Sequence, residues 1–260
     1  MLAKQRHAKI LDIINKSGVV YTTELVKIIN VSSETIRKDL KYLDEKGYIS
    51  RVHGGAVAIN NNPIDEMEKQ YIDFEKRQNL YIDRKISIAK RAAELVHEGQ
   101  SVALDPGTSN FELAKILKEK FNRLTIVTNS LKNALEFADK PTFTVIVTGG
   151  VLMADEYSFV SDFSSLILDK LNIDIMFLTV SGISSFAGFT DQRIDEVLVQ
   201  NKMRSVSQKV IVLADSSKFG KASLVRICGL EDVNTIITDS EIDNSLKDEI
   251  IANEVPIIIA

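Results

Sequence analysis

The 260-residue chain holds 45% hydrophobic and 26% charged residues, enough apolar material for more than one ordinary core. Its lone Cys228 excludes an intrachain disulfide; Lys4, Arg6, His7 and Lys9 do not suit a secretory leader, and Asp174 and Ser181 cut the most apolar stretch short of a membrane span. A cytoplasmic chain with no membrane role is therefore expected.

Charge is unevenly spread along the chain. Residues 1–58 hold 10 Lys and Arg against 6 Asp and Glu, net +4, while the whole chain is at −4 and the remainder therefore at −8. A basic end on an acidic chain suits a polyanionic partner, because neutralised phosphates release their counterions.

Between Lys4 and Lys16, Ile10, Ile13 and Ile14 recur at helical spacing until Gly18 ends the segment. Thr22 can cap a second helix with Leu25, Val26 and Ile29 on one face. Asn30-Val31 then makes a turn, and Ser32 caps a third helix from about Ser33 to Lys46. This is helix-turn-helix order. Ile36, Leu40 and Leu43 should pack inward, leaving Ser33, Thr35, Arg37, Lys38 and Lys41 for the other faces. The start of such a helix enters the major groove of double-stranded DNA, so Ser33, Thr35, Arg37 and Lys38 are expected to meet bases and phosphates. Arg37 is the first candidate for reading a guanine edge, and Lys38 and Lys41 for phosphate.

Two short strands, Tyr48–Val52 and Ala56–Ile59, flank His53-Gly54-Gly55 and predict a wing. Gly54 and Gly55 would admit close backbone approach, with Arg51 and His53 toward phosphate or minor groove. A three-helix protein-interaction module is the alternative these residues leave open. The run Val31-Ser32-Ser33-Glu34-Thr35-Ile36-Arg37-Lys38-Asp39-Leu40, followed by Leu43, Gly47, Arg51 and His53-Gly54-Gly55-Ala56, resembles the DNA-binding signature of DeoR-type repressors across residues 3–58. Lys38 stands where that family customarily has a second arginine, which keeps the charge and loses the planar fork.

Asn60-Asn61-Asn62-Pro63 breaks the chain, and charged residues dominate to about Arg84. The expected organisation is a winged helix-turn-helix over 1–58, a linker over 59–83 and a second domain over 84–260. A helical pattern from Arg84 to His97 opens that domain. Strands are expected at Val102–Leu104, Thr125–Val127, Thr144–Val147, Ile175–Val180, Val210–Leu213, Thr235–Ile237 and Ile257–Ile259. Helices are expected around Glu112–Phe121, Leu131–Ala138, Phe163–Leu171 and Glu196–Gln208. The alternation gives an α/β class with a mainly parallel sheet covered on both faces, and such sheets bind ligands at the carboxyl ends of their strands.

Polar loops fall at those ends: Asp105-Pro106-Gly107-Thr108-Ser109-Asn110, Thr128-Asn129-Ser130, Thr148-Gly149-Gly150, Ser181-Gly182-Ile183 and Asp215-Ser216-Ser217-Lys218. Together with Gly188 they resemble the effector domain of DeoR-type regulators over about residues 77–255. That resemblance implies a fold similar to ribose-5-phosphate isomerase and a phosphorylated sugar as effector. It assigns the anion to Gly107, Thr108 and Ser109, and makes Asp105, Asn129, Glu196 and Lys218 candidates for sugar hydroxyls or phosphate, with Gly149, Gly150 and Gly182 giving close approach. Lys202 is a weaker cationic candidate. Ser161 stands where the family usually has a glycine.

The rival reading is a sugar-phosphate isomerase with an accessory N-terminal module, using Asp105, Glu196, Asp215 and Lys218 for proton transfer. No metal or redox cofactor is expected, since His7, His53 and His97 are scattered and Cys228 reads as a small buried hydrophobe. A homo-oligomer, at least a dimer, is expected to set two readers on matching half-sites of an operator.

Overall fold

The computed structural model describes residues 6–7, 9–11, 13–14, 19–29, 31–45, 49–52, 55–58 and 74–260, and the chain divides into two compact units, Met1–Ile72 and Asp73–Ala260.

In the first unit the described residues of 6–14 are helical (α1). They are followed by β1 (Val19–Tyr21), α2 (Thr22–Ile29), α3 (Ser33–Glu45), β2 (Ile49–Val52) and β3 (Gly55–Ala58). Ile10, Ile14, Leu25, Ile29, Ile36, Leu40 and Leu43 meet Ile49 and Ala56 in one core. The helical spacing therefore named the inward faces correctly. The strands form an antiparallel sheet in the order β1-β3-β2, so the wing hairpin gains a third strand just after Gly18 that sequence reading did not expect.

The second unit is built on a seven-stranded parallel sheet in the order β15-β14-β12-β9-β4-β5-β6. Its strands are β4 (Ser101–Leu104), β5 (Thr125–Thr128), β6 (Thr144–Val147), β9 (Ile175–Thr179), β12 (Val210–Leu213), β14 (Thr235–Thr238) and β15 (Ile257–Ile259). All seven expected strands are present. Their unbroken apolar runs have a geometric cause: Ile175 and Phe177 enter one core while Met176 and Leu178 enter the other, so both faces are buried. Helices α5 (Ile82–Ala93), α6 (Thr108–Lys120), α7 (Leu131–Glu136), α8 (Phe163–Leu168) and α9 (Ile194–Ser205) also match expectation, while α10 (Asn244–Ile251) does not correspond to any expected helix.

The expected linker requires a correction. Its last part is folded into the second unit as α4 (Phe74–Asn79) and the start of α5. Phe74 is completely buried, in edge contact with Phe111 and Tyr157, and the ammonium of Lys132 lies 4.8 Å from its ring centre. Arg77 pairs with Glu156 across the same junction. Within α4 Phe74 is the one apolar residue amid charge and carries no periodicity, which is why it reads as part of a linker.

Two smaller sheets also escape the sequence pattern. β7 (Val151–Met153) and β8 (Ser158–Val160) form a hairpin. β10 (Gly182–Ser184), β11 (Gly188–Asp191) and β13 (Val225–Cys228) form an antiparallel sheet. Gly188 turns from β10 to β11 at φ +70°, where a side chain would run into the Cys228 carbonyl.

Candidate functional site

In the first unit α3 begins at a Ser32 cap: Ser32 Oγ accepts from Thr35 N at 3.2 Å and lies 2.8 Å from Thr35 Oγ1. Thr35 is accordingly half-buried and engaged at the cap, whereas Ser33, Arg37, Lys38 and Lys41 are exposed. Lys38 makes a long 3.9 Å pair with Glu34. Ser33, Arg37 and Lys41 are spaced by four and form one exposed ridge along the border of the buried stripe of Ile36, Leu40 and Leu43.

Asp39, within the recognition run, faces inward. Burial pushes its carboxyl up, but hydrogen bonds from Arg6 (2.5 and 2.9 Å) and His7 (2.9 Å) hold it below the usual carboxylate range. His7 also stacks on Tyr42. Helix α1 is thereby clamped to α3, which fixes the reading face. Arg51 lies on β2 opposite Ala56, and Gly55 lies on β3 opposite Val52 and Tyr21. His53 and Gly54 lie outside the described residues.

In the second unit the loops after β4, β5, β6, β9 and β12 lie at the carboxyl edge of five neighbouring strands. Asp105 is the hub of this edge, and its role differs from the sugar contact expected. It is wholly buried, and five groups donate to its carboxylate: Gly107 N, Asn110 Nδ2, Thr179 N, Thr179 Oγ1 and Gln200 Nε2, at 2.6–3.3 Å. Those bonds occupy its acceptor sites, so it positions loops. Burial nevertheless pushes its carboxyl up to about 6 against these donors.

Gly107 caps α6 in extended backbone, where any side chain would collide with Thr179. Thr108 and Ser109 are buried in the first turn of α6, where backbone N–H groups lack intrahelical partners and the dipole favours an anion. The Asn129 amide donates to the Phe159 carbonyl at 3.2 Å, tying the β7–β8 hairpin to the β5 loop. Gly149 and Gly150 take left-handed φ of +69° and +116°, and the Ser161 side chain fills the space beside Gly150, 2.9 Å from where a Cβ would lie. The Ser161 hydroxyl accepts from Phe163 N at 3.1 Å, so it starts α8. Gly182 serves packing, since a Cβ there would sit 2.7 Å from the Lys221 carbonyl.

A cationic corner forms from residues that sequence reading largely missed. Lys85 on α5 is only 4% exposed; burial pushes its amine down to about 8, with Asp215 opposing that shift and Lys218 and Arg77 adding to it. Its ammonium donates to the Arg77 carbonyl. A helical lysine near a charged segment gives no sequence sign of such burial. Lys218 is half-buried beside it, and Asp215 turns the loop by accepting from Ser217 N at 3.1 Å. Lys202 is paired with Asp169.

An acidic group adjoins the cationic corner through Arg77, which pairs with Glu156. Glu196 is 6% exposed and accepts from Ser158 Oγ at 2.7 Å; burial, reinforced by Asp191 and Glu156, pushes its carboxyl up to about 7. Burial raises Asp191 as well. Along the strand edge, buried oxygens of Asn110, Asn129, Asn133, Thr148 and Gln200 have no hydrogen-bond donor among the described residues. Leaving such an atom unpaired costs about 1–3 kcal/mol, which a ligand hydroxyl would relieve. A separate surface cleft of about 500 Å³ by Lys115, Lys118 and Lys140 lacks this chemistry, its lysines being held by Glu112, Glu136, Asp139 and the Lys118 carbonyl.

A helix-turn-helix reader followed by an α/β unit with a polar strand-end site defines a ligand-sensing, DNA-binding regulator. The family models for the DeoR-like helix-turn-helix domain and the DeoR C-terminal sensor domain match residues 6–62 and 81–240, and the chain belongs to the DeoR family. It is 31% identical to the L-fucose operon activator of Haemophilus influenzae over 93% of this chain and 94% of that protein. It is likewise 31% identical to the lactose phosphotransferase system repressor of Streptococcus mutans, over 95% of this chain and 96% of that one. Among solved structures, ribose 5-phosphate isomerase A from Methanocaldococcus jannaschii aligns with a TM-score of 0.40 at 15% identity, over 53% of this chain and 54% of that chain. Among the described residues no helix is long and apolar enough to cross a membrane.

Proposed function

We propose that the chain represses genes of sugar metabolism by binding an operator through α3 and the wing, and that a phosphorylated sugar in the second unit controls that binding. The observation that carries the effector half is the meeting of one strand edge with a cationic corner and a row of donorless buried oxygens. The phosphate goes to the start of α6, through Gly107, Thr108 and Ser109, with Lys85 and Lys218 supplying charge. The sugar hydroxyls go to Asn129 and Glu196, near Gly149 and Gly150. On the DNA side Arg37 reads a base, and Ser33, Lys38, Lys41 and Arg51 hold phosphate. A cytoplasmic homo-oligomer that acts by binding alone completes the reading.

Ligand releases DNA only if it binds the DNA-incompetent state more tightly. The test is a titration of DNA from the chain's own promoter region at fixed salt, with and without a panel of sugar phosphates. Specific binding weakened by one compound is expected. Binding that no compound changes, although one is shown calorimetrically to bind, would remove the effector role. Isomerase turnover lost in Glu196→Gln would instead favour the enzyme.

A further inference from the structure

The outer faces of α8, α9 and the β7–β8 hairpin carry Phe163, Leu166, Ile194, Leu198, Val151 and Leu152, each between 42% and 71% exposed. These elements adjoin one another: α9 packs on both α8 and β8, Ser164 Oγ donates to the Gly149 carbonyl, and Lys202 of α9 pairs with Asp169 at the end of α8. Together the six residues expose roughly 650–700 Å², above the ~300–600 Å² of the largest apolar patch on a typical monomer and approaching the ~800 Å² each partner gives a standard interface.

We infer that this face is where a second copy of the chain docks. Two properties select a second copy over an unrelated partner. The patch has the area an isologous contact needs to cover itself completely. Of the charges beside it, Lys202 and Asp169 pair within each copy and so add no like-charge repulsion when two copies meet. The face also has a reverse side within the site: α9 turns Ile194 and Leu198 outward and Glu196 and Gln200 inward, and β8 carries Ser158 against Glu196. A change at Glu196 therefore reaches the surface on which the neighbour rests. The docking itself does not depend on the effector reading.

Sedimentation velocity of the full chain tests it. The chain should self-associate, Leu198→Asp combined with Phe163→Asp should weaken association by about 100-fold or more, and Ile251→Asp, at a 45% exposed residue on α10, should leave it unchanged. A monomeric chain at every concentration, or undiminished assembly of the double variant, would overturn the inference. Should that variant fail to fold by circular dichroism, thiol labelling decides. Cys228 is buried, so a maleimide reports on Leu198→Cys, which should be protected at concentrations where the chain is assembled and exposed on dilution, with Ile251→Cys reactive throughout. Equal labelling of both, or protection of Leu198→Cys that persists in the monomer, as contact with the chain's own first unit would give, would sink it.

Discussion

Desolvation governs Lys85. An ammonium with 4% exposure and a pKa near 8 has exchanged most of its water for the Arg77 carbonyl and the charge of Asp215, and such a group gains strongly from an arriving anion. Lys85→Met is expected to raise the thermal midpoint of the ligand-free protein by a few degrees, since an apolar isostere avoids the burial cost, and to abolish the response to sugar phosphate. Scanning calorimetry with the operator titration checks both; a variant that still answers the effector would exclude Lys85 from the anion site. At Asp105 the sign reverses. Asn there turns one acceptor into a donor facing N–H and O–H groups, and should cost roughly 2–4 kcal/mol in urea unfolding. An unchanged midpoint would show that its five bonds contribute little.

Among the elements, α3 divides its work by face. Arg37→Ala should lower discrimination between operator and random duplex by about 1–3 kcal/mol, whereas Lys41→Ala should weaken both alike and lower the salt slope by about one. Equal losses on both duplexes for Arg37→Ala would remove it from base readout. The elements legible in sequence were those with strong local patterns. Ile36, Leu40 and Leu43 lie on one helical stripe, and the seven strands are short β-branched runs between loops. The rest depends on partners far along the chain. Asp39 reads as part of a polar motif until Arg6 is beside it, Phe74 is anchored by Phe111 and Tyr157, and Asp105 is filled by donors from Thr179 and Gln200. The polar loops do follow the strands after which sequence puts them, while the partners of each side chain in them are set by burial, which local spacing does not encode.

At the scale of the whole chain the buried carboxyls tie stability to pH. Glu196 near 7 and Asp105 near 6 stand above their unfolded values of about 4.3 and 3.9, so from about pH 4 to pH 7 the folded chain binds more protons than the unfolded one. Stability from these groups therefore falls as pH rises through that window, by on the order of 2–3 kcal/mol for Glu196. Lys85 acts in the opposite sense above about pH 8. The melting transition of the second unit should lie lower at pH 7.5 than at pH 5, and Glu196→Gln should flatten the difference; a wild-type midpoint constant across the window would contradict the assignment.

The strand order has a consequence for synthesis on the ribosome. Strand β4 lies at the centre of the sheet between β5 and β9, and Val102 pairs with Ile175, so one edge of β4 stays open until some seventy further residues have been made. The winged module pairs Val19 with Val57 and needs nothing beyond its own strands. During each round of translation a DNA reader can form before its sensor exists, and a chain cut short in the sheet would carry the reader without its control.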